Sequence, residues 1–406
     1  MLTSVVAWSL LIVTAAAFVV GLRRRRAETL LVLGSLAATL LIAELVLRVA
    51  YPPSWLPLRK SPSSRYHHIN RPNVVMFDGR FDGVDVVVRT NEDGLRSDYG
   101  RAEFLRHRDR VVVMGDSFTF GAHVLQEAAF PQVMERELRT QLGRDDIAVL
   151  NAGTVSYSPL LAQRLFDGIV VNYRPTLVLF VLDATDIGDD YNYEKELVAD
   201  GAGGRFDWTG LEVSPYYGAV GEVVRLGKVL KVLGRPVAKL QSLVGLKPIP
   251  TYEYDWYQFR AELGGRIETN RFFIYRHPLE ETRPFFDRTY GYVEALARSA
   301  ERAGAAFALI VTPRYHHWNP KECPENWEAD EYAVAEPYQY EYFRYFEERR
   351  AGAPFEIYDL LPALRATGEF PLVLRRDPHW NAAGNAFVAR TVARHLIESG
   401  RFKGPS

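Results

Sequence analysis

The sequence predicts an α/β fold: a three-layer α/β/α sandwich on a mainly parallel sheet, preceded by a two-helix transmembrane hairpin. Three observations predict it. Short apolar segments of strand type alternate with amphipathic helical segments from residue 110 onward. Small and polar residues that suit chemistry follow the predicted strands. Two long apolar runs near the N-terminus are separated by four arginines.

The hairpin is predicted from residues 3–22 and 29–47. Residues 3–22 carry no charge and suffice to cross roughly 30 Å of hydrocarbon as a helix. The arginines at 23–26 should remain cytoplasmic, which places the body of the protein on the extracytoplasmic side of the cell membrane, periplasmic or extracellular. A cleaved signal peptide is the alternative, although "MLTS" lacks the positive charge that would precede its apolar run. Glu44 is either a functional intramembrane acid or a partner of Arg48 at helical spacing.

Three regions follow from these patterns. Residues 1–50 form the hairpin, residues 51–84 a linker and lead-in rich in proline and serine, and residues 85–406 the α/β domain. An aromatic-rich insertion at about 190–280 suits a sugar-binding wall or a plain hydrophobic subdomain.

Composition excludes several classes. A net charge of −1 and a pI near 6.8 argue against a nucleic-acid binder. Cys323 is the single cysteine, so an intrachain disulfide and a thiolate metal cluster are both excluded.

Five strands are predicted, at residues 110–114, 147–150, 176–182, 306–311 and 355–358. Ligands of open parallel sheets bind beyond the carboxyl ends of the strands. Four turns with small or polar residues should meet at this edge. They are "GDSFTFG" with Ser117, "NAGTVSYSP" with Gly153, "DATDIGDD" with Thr185, and "RRDPHWNAAGN" with Asp377 and His379.

These turns suggest nucleophilic catalysis. A serine hydroxyl needs a base, and His379 has Asp377 two residues before it, where the carboxylate can hold Nδ1–H and leave Nε2 for Ser117. Backbone N–H groups of Ser117 and Gly153 are candidate oxyanion donors. The structural alternatives are a helix cap at Asp116 or Ser117, and an Asx turn before a helix begun by Asn381.

At these residues the chain resembles the SGNH (GDSL-type) hydrolase family, whose fold is flavodoxin-like. "GDSFTFG", "NAG" and "DPHWNAAG" match, in order, the blocks that carry its nucleophile, its oxyanion glycine and its Asp–His pair. "TNEDGLRS", residues 90–97, resembles the lead-in of membrane-anchored members. The family pattern also implies an asparagine in the oxyanion hole after the third strand, where this chain has Thr185, with Asp183 in place of a glycine.

The resemblance implies a membrane-anchored serine esterase or deacetylase acting on an O-acyl ester of a cell-surface glycan or on a small ester. One alternative is an O-acyltransferase that modifies an extracytoplasmic polysaccharide, with a membrane-bound O-acyltransferase as partner. The other is a non-catalytic glycan-binding or scaffold protein. The bilayer would be contacted through residues 3–47. We expect no cofactor, no metal and no nucleic acid.

The remaining histidines suggest less. His123 is expected to pack behind the serine turn. His316 and His317 suit either substrate contact or a surface loop. Neighbouring side chains point apart, so neither this pair nor His67 with His68 should form a joint metal site.

Overall fold

In a computed structural model of the protein, residues 60–199, 204–206, 259–329 and 337–402 are described, together with helical positions between 27 and 42. From residue 60 the described chain belongs to one compact unit, Leu58–Asp207 with Tyr257–Ser406. Most of the predicted hairpin and most of the insertion, including Trp256, lie outside the described residues. Within the part that is described, no helix is both long enough and apolar enough to cross a bilayer.

The elements are numbered in chain order. The strands are β1 (Lys60–Ser63), β2 (His67–Asn70), β3 (Val75–Phe81), β4 (Val84–Arg89), β5 (Asp109–Gly115), β6 (Ile147–Asn151), β7 (Leu177–Leu182), β8 (Leu197–Val198), β9 (Arg205–Phe206), β10 (Ala261–Leu263), β11 (Arg266–Glu268), β12 (Ala306–Val311) and β13 (Glu356–Asp359). The α-helices are α1 (Arg101–Phe104), α2 (Ser117–Phe120), α3 (Phe130–Leu142), α4 (Pro159–Gly168), α5 (Asp186–Lys195), α6 (Leu279–Arg302), α7 (Glu341–Arg350), α8 (Leu361–Ala366) and α9 (Ala382–Glu398).

The central sheet has five strands in the order β13-β12-β7-β5-β6, and every neighbouring pair is parallel. These are the five strands that the alternating pattern predicts, so the α/β fold with a parallel sheet is confirmed. Their carboxyl ends lie at one edge, where the predicted turns begin.

Both faces of the sheet are covered. On one face, Val111, Val113 and Leu179 pack with residues of α3 and α9 in one buried cluster. The alternate residues Val112 and Phe180 are also fully buried, as a strand requires when helices lie on both of its sides. Helix α6 contacts α4 and α5 in the second helical layer.

The predicted linker and lead-in is folded from residue 60 onward. It forms the antiparallel pairs β1–β2 and β3–β4 rather than an extended spacer. Asp82 and Gly83 join β3 to β4 with φ angles of 46° and 86°, which is the Asp-Gly signature of a two-residue hairpin. Met76, Val86 and Val88 bury this hairpin against Phe120 of α2.

The described flanks of the insertion are packed protein. Phe259 is 1% exposed, and its ring stacks on Phe273 with centroids 4.2 Å apart. The ring of Phe285 of α6 packs against the same cluster, with its centroid 5.0 Å from that of Phe273. At these residues the aromatic side chains form a hydrophobic core.

Candidate active site

Ser117 is the first residue of α2, directly after β5. Asp116 caps this helix, because its carboxylate accepts a hydrogen bond of 2.9 Å from the backbone N–H of Phe118. The cap therefore belongs to Asp116, and the hydroxyl of Ser117 remains available to face the sheet edge. A backbone N–H at the first position of a helix has no acceptor within the helix, which suits Ser117 as an oxyanion donor.

His379 and Asp377 lie in the loop before α9. The carboxylate of Asp377 accepts from the backbone N–H of His379 at 3.0 Å, so the predicted Asx turn is present. Asn381 caps α9 by accepting from Gly384 N at 2.9 Å. Buried Glu322 accepts the backbone N–H groups of Leu372 and Val373 and so fixes the start of the loop. The Asx turn at Asp377 and the helix cap at Asn381 are therefore both present, and they occur together with the predicted Asp377–His379 pair.

The loop brings the three predicted side chains together. His379 Nε2 lies 2.6 Å from Ser117 Oγ, and His379 Nδ1 is hydrogen-bonded to Asp377 Oδ1. Burial raises the pKa of Asp377, but the neighbouring His379 and the contact with His123 outweigh it and hold that pKa well below the usual range. Asp377 is therefore an ionised acceptor for Nδ1–H, and the lone pair of Nε2 faces the serine hydroxyl.

The oxyanion candidates are oriented differently. The N–H of Gly153 donates to the side chain of Asn151 at 3.0 Å. The hydroxyl of Thr185 donates to Asp183 at 2.6 Å, and the backbone N–H of Thr185 donates to the same carboxylate at 3.1 Å. Both candidate donors are therefore engaged by side chains of their own turns.

Gly153 also has a steric role. A Cβ at this position would lie 2.4 Å from the backbone nitrogen of Phe120, so only glycine permits this approach of the turn to α2. In the same turn, Ser156 has a φ of 67°, which is uncommon for a non-glycine residue, and its carbonyl accepts from the hydroxyl of Tyr193 at 2.8 Å.

A buried ion pair lies behind Thr185. Asp183 accepts from Arg314 Nε at 2.8 Å, and both side chains are less than 5% exposed. The guanidinium of Arg314 also lies over the ring of Phe118, 5.0 Å from its centroid. Burial, together with the charge of Asp183, raises the pKa of Asp116 to about 7. The region beside Ser117 thus holds a dense set of buried carboxylates and one buried cation.

Two further residues, which the sequence motifs do not indicate, contact Asp377. Trp327 donates its indole N–H to Asp377 Oδ2 at 2.9 Å, although its side chain is 62% exposed. His123, expected only to pack, has Nε2 at 3.5 Å from the same oxygen. Neither contact has a local signal, because both residues are distant from Asp377 in the sequence.

Of the two neighbouring histidines, His317 is buried and His316 is half-buried, so His317 is not a surface residue. Burial lowers the pKa of His317 to about 4. His317 Nε2 faces the carbonyl of Gln339 at 2.8 Å. His67 and His68 face each other through their Nδ1 atoms at 2.8 Å, a hydrogen bond inside the fold.

The residues around Asp377 also include atoms that could bind a metal ion. Ligand atoms of His123, Asp377 and His379 lie within 4.8 Å of one another. However, Asp377 Oδ1 is bound by His379 and Asp377 Oδ2 by Trp327. The ligand atoms of Asp377 and His379 are thus engaged with one another, with Trp327 and with Ser117, an arrangement that suits proton transfer.

No protein-family model and no curated protein sequence matches the chain. Solved structures with similarity include the psychrotrophic esterase EstA from Pseudoalteromonas sp., at 13% identity over 72% of this chain and 97% of that chain, with a TM-score of 0.35. The lipase/acylhydrolase from Enterococcus faecalis is 14% identical over 73% and 98%, with a TM-score of 0.36. The acetyl xylan esterase AlAXEase is 12% identical over 71% and 100%, with a TM-score of 0.37.

Proposed function

We propose that the protein is a serine esterase that hydrolyses an O-acyl ester through an acyl-serine intermediate. The observation that carries this proposal is the 2.6 Å contact between Ser117 Oγ and His379 Nε2, with Asp377 on the opposite ring nitrogen. His379 takes the proton as Ser117 attacks the ester carbonyl, and returns it to the leaving alcohol. Water then attacks the acyl-serine as His379 takes one of its protons; the bond between the acyl carbon and Ser117 Oγ breaks, Oγ regains the proton from His379, and the carboxylic acid leaves.

The proposed substrate is an acylated glycan. Trp327 supports this class, because a largely exposed indole fixed by its N–H beside Asp377 offers a flat apolar face next to the triad. Such faces pack well against sugar rings. Replacing Trp327 with leucine should raise KM for an acetylated oligosaccharide and leave KM for p-nitrophenyl acetate nearly unchanged. An equal rise for both esters would contradict a sugar-binding role.

The test of the reaction is acetate release by the full-length chain and by Ser117→Ala, from p-nitrophenyl acetate and from acetylated oligosaccharides. We expect release by the native chain alone. Transfer of the acyl group to an added sugar acceptor, rather than to water, would establish the O-acyltransferase alternative.

One observation favours a second candidate, a non-catalytic glycan-binding protein. The N–H of Gly153 and the hydroxyl of Thr185 are both held by neighbouring side chains, which leaves the oxyanion with one unengaged candidate donor, Ser117 N–H. Losing one donor typically costs about 2.7–4 kcal/mol of transition-state stabilisation. Glycan binding by the native chain with no turnover of any ester would establish this candidate.

The proposed location is the cell membrane, with the α/β domain on the extracytoplasmic side. The two apolar runs and the arginines at 23–26 support it, as do the exposed apolar side chains of Leu30, Leu31 and Ile42. Native Cys323 is buried, so cysteines introduced at Arg23 and Ser64 can be probed in intact cells. Labelling at position 64 but not at position 23 is expected, and the opposite pattern would contradict the proposed orientation.

A further inference from the structure

His123 occupies an unusual position behind the triad. It lies in the turn after α2 with a φ of 68°, in the left-handed region. Its ring packs against the ring of Phe81 of β3, with centroids 3.9 Å apart and the planes tilted by 34°. The side chain is 14% exposed, so the imidazole lies between the β3–β4 hairpin and the loop that carries Asp377.

Two carboxylates flank this imidazole. His123 Nδ1 is 3.6 Å from Asp78 Oδ2, and His123 Nε2 is 3.5 Å from Asp377 Oδ2. The side chain of Asp78 is only 2% exposed, and a buried carboxylate requires a compensating charge or hydrogen bonds. A doubly protonated ring supplies the compensating positive charge, because one ring nitrogen lies near each carboxylate.

The balance of charges favours the imidazolium. Burial alone would lower the pKa of His123, but Asp377 and Asp78 together raise it to about 9. The groups that face the ring are Asp78 on β3 and Asp377 and His379 on the opposite loop. At neutral pH the pair of carboxylates is thus bridged by one positive charge.

We propose that His123 is a positioning residue of the Ser117–His379–Asp377 unit, acting as a fixed cation that holds Asp377 in place against His379. The proposal rests on the proposed esterase function. It also assigns a role to the β3–β4 hairpin, which supplies Asp78 and Phe81 and so anchors the cation.

The geometry gives His123 two effects on the reaction. First, Asp377 Oδ2 contacts both Trp327 and His123, so the carboxylate cannot rotate away from His379 Nδ1. Second, the rings of His123 and His379 are 5.4 Å apart, close enough for a positive charge on one to disfavour a positive charge on the other. The proton that His379 takes up during the attack is therefore readily returned to the leaving alcohol.

The variant His123→Asn tests this role in the full-length chain. Asparagine tolerates a positive φ, and it removes the charge. Without the cation, the repulsion between the two imidazole rings is lost, so the acid limb of the pH profile of kcat/KM should move to higher pH. In the matched control His277→Asn, which removes a histidine paired with Glu268 and Glu281, the limb should not move. If the acid limb does not move in a folded His123→Asn variant, His123 contributes only packing and the proposal is wrong.

The charge of His123 can also be measured without turnover. In the chain labelled with ¹⁵N-histidine, one imidazole should keep both ring nitrogens protonated at pH 7.5 and titrate near pH 9. This signal should be absent from His123→Asn. In Asp78→Asn the midpoint of the signal should move to lower pH, so this second variant assigns the signal to His123 even if His123→Asn fails to fold. A midpoint below pH 7 would overturn the proposal. Because this measurement needs no substrate, it separates failure of the His123 proposal from failure of the esterase proposal.

Discussion

The nucleophile side and the oxyanion side of the site are built in opposite ways. On the nucleophile side, His379 contacts Ser117 through one ring nitrogen and Asp377 through the other, so the three side chains form a continuous chain of hydrogen bonds. On the oxyanion side, the N–H of Gly153 and the hydroxyl of Thr185 point back to Asn151 and Asp183. The nucleophile side is therefore arranged for proton transfer. On the oxyanion side, the donors form hydrogen bonds within their own turns.

The carboxylates of the two sides differ in their partners. Asp377 is surrounded by donors, and its pKa lies well below the usual range. On the oxyanion side, burial is outweighed by Arg314, which lowers the pKa of Asp183, whereas burial raises the pKa of the neighbouring Asp186. A site that attacks readily but stabilises the resulting oxyanion weakly should be a slow esterase, because oxyanion stabilisation is usually the largest single contribution to catalysis.

The largest effect is expected from the nucleophile side. Ser117→Ala and His379→Ala should each lower kcat for p-nitrophenyl acetate by at least about a thousand-fold, and the double variant should be scarcely worse than either. The reason is that serine and histidine act as one unit. Steady-state rates of the three variants check this, and multiplicative losses in the double variant would contradict it.

A smaller loss is expected at Asp377. Asp377→Asn should lower kcat less than Ser117→Ala does, because the residue orients and stabilises His379 without attacking the ester. Trp327→Phe is the matched control: it keeps an aromatic ring and removes only the N–H that Asp377 accepts. We expect the control to lose less than about ten-fold. A loss at Asp377 as large as that of Ser117→Ala would contradict this division of roles.

On the oxyanion side the expected effects are smaller still. Thr185→Val should lower kcat by less than about ten-fold, because the hydroxyl already donates to Asp183. Thr185→Asn should raise kcat if the longer amide reaches the oxyanion that threonine cannot reach. The same substrate serves for both measurements. A hundred-fold loss in Thr185→Val would show that the hydroxyl turns to the oxyanion during the reaction, and would remove the contrast between the two sides.

The smallest effect concerns stability. The pKa of Asp190, raised by burial to about 7, lies above the unfolded value, so its stabilising contribution is present below about pH 4 and is lost as the pH rises through 7. Asp190→Asn removes the charge and keeps an oxygen for the N–H of Leu160, at 3.0 Å. The variant should be more stable than the native chain at pH 8, by about 1–4 kcal/mol.

Urea denaturation at pH 5 and pH 8 checks this prediction. The gain at pH 8 should shrink towards pH 5, where Asp190 is already protonated in the folded protein. Asp167→Asn, at an exposed position of α4, is the control and should change little at either pH. An equal gain at both pH values would contradict the assignment to burial of the charge.

The nucleophile side could be predicted from the sequence because its parts follow general rules. Strand and helix patterns alternate, ligand-binding turns follow parallel strands, and Asp377 stands two residues before His379. The Asp82–Gly83 turn was also a usable signal for the β3–β4 hairpin, although the proline-rich segment before it suggested a linker.

The rest depends on contacts that no local pattern records. Trp327 and His123 reach Asp377 from distant parts of the chain, and Arg314 reaches Asp183 across the sheet edge. The orientation of Thr185 is also invisible in the sequence, because threonine can donate towards a substrate or back to its own turn. Side-chain direction, rather than residue identity, therefore separates the two sides of the site.

The most direct test of the central claim is covalent labelling of the full-length chain with a fluorophosphonate, followed by peptide mass spectrometry. The reagent reacts with a serine whose hydroxyl is activated by a base and does not require an acyl acceptor. The assembled triad predicts one adduct, on Ser117, that is lost in His379→Ala and kept in Thr185→Val. An unlabelled Ser117 in folded native protein would contradict an activated nucleophile.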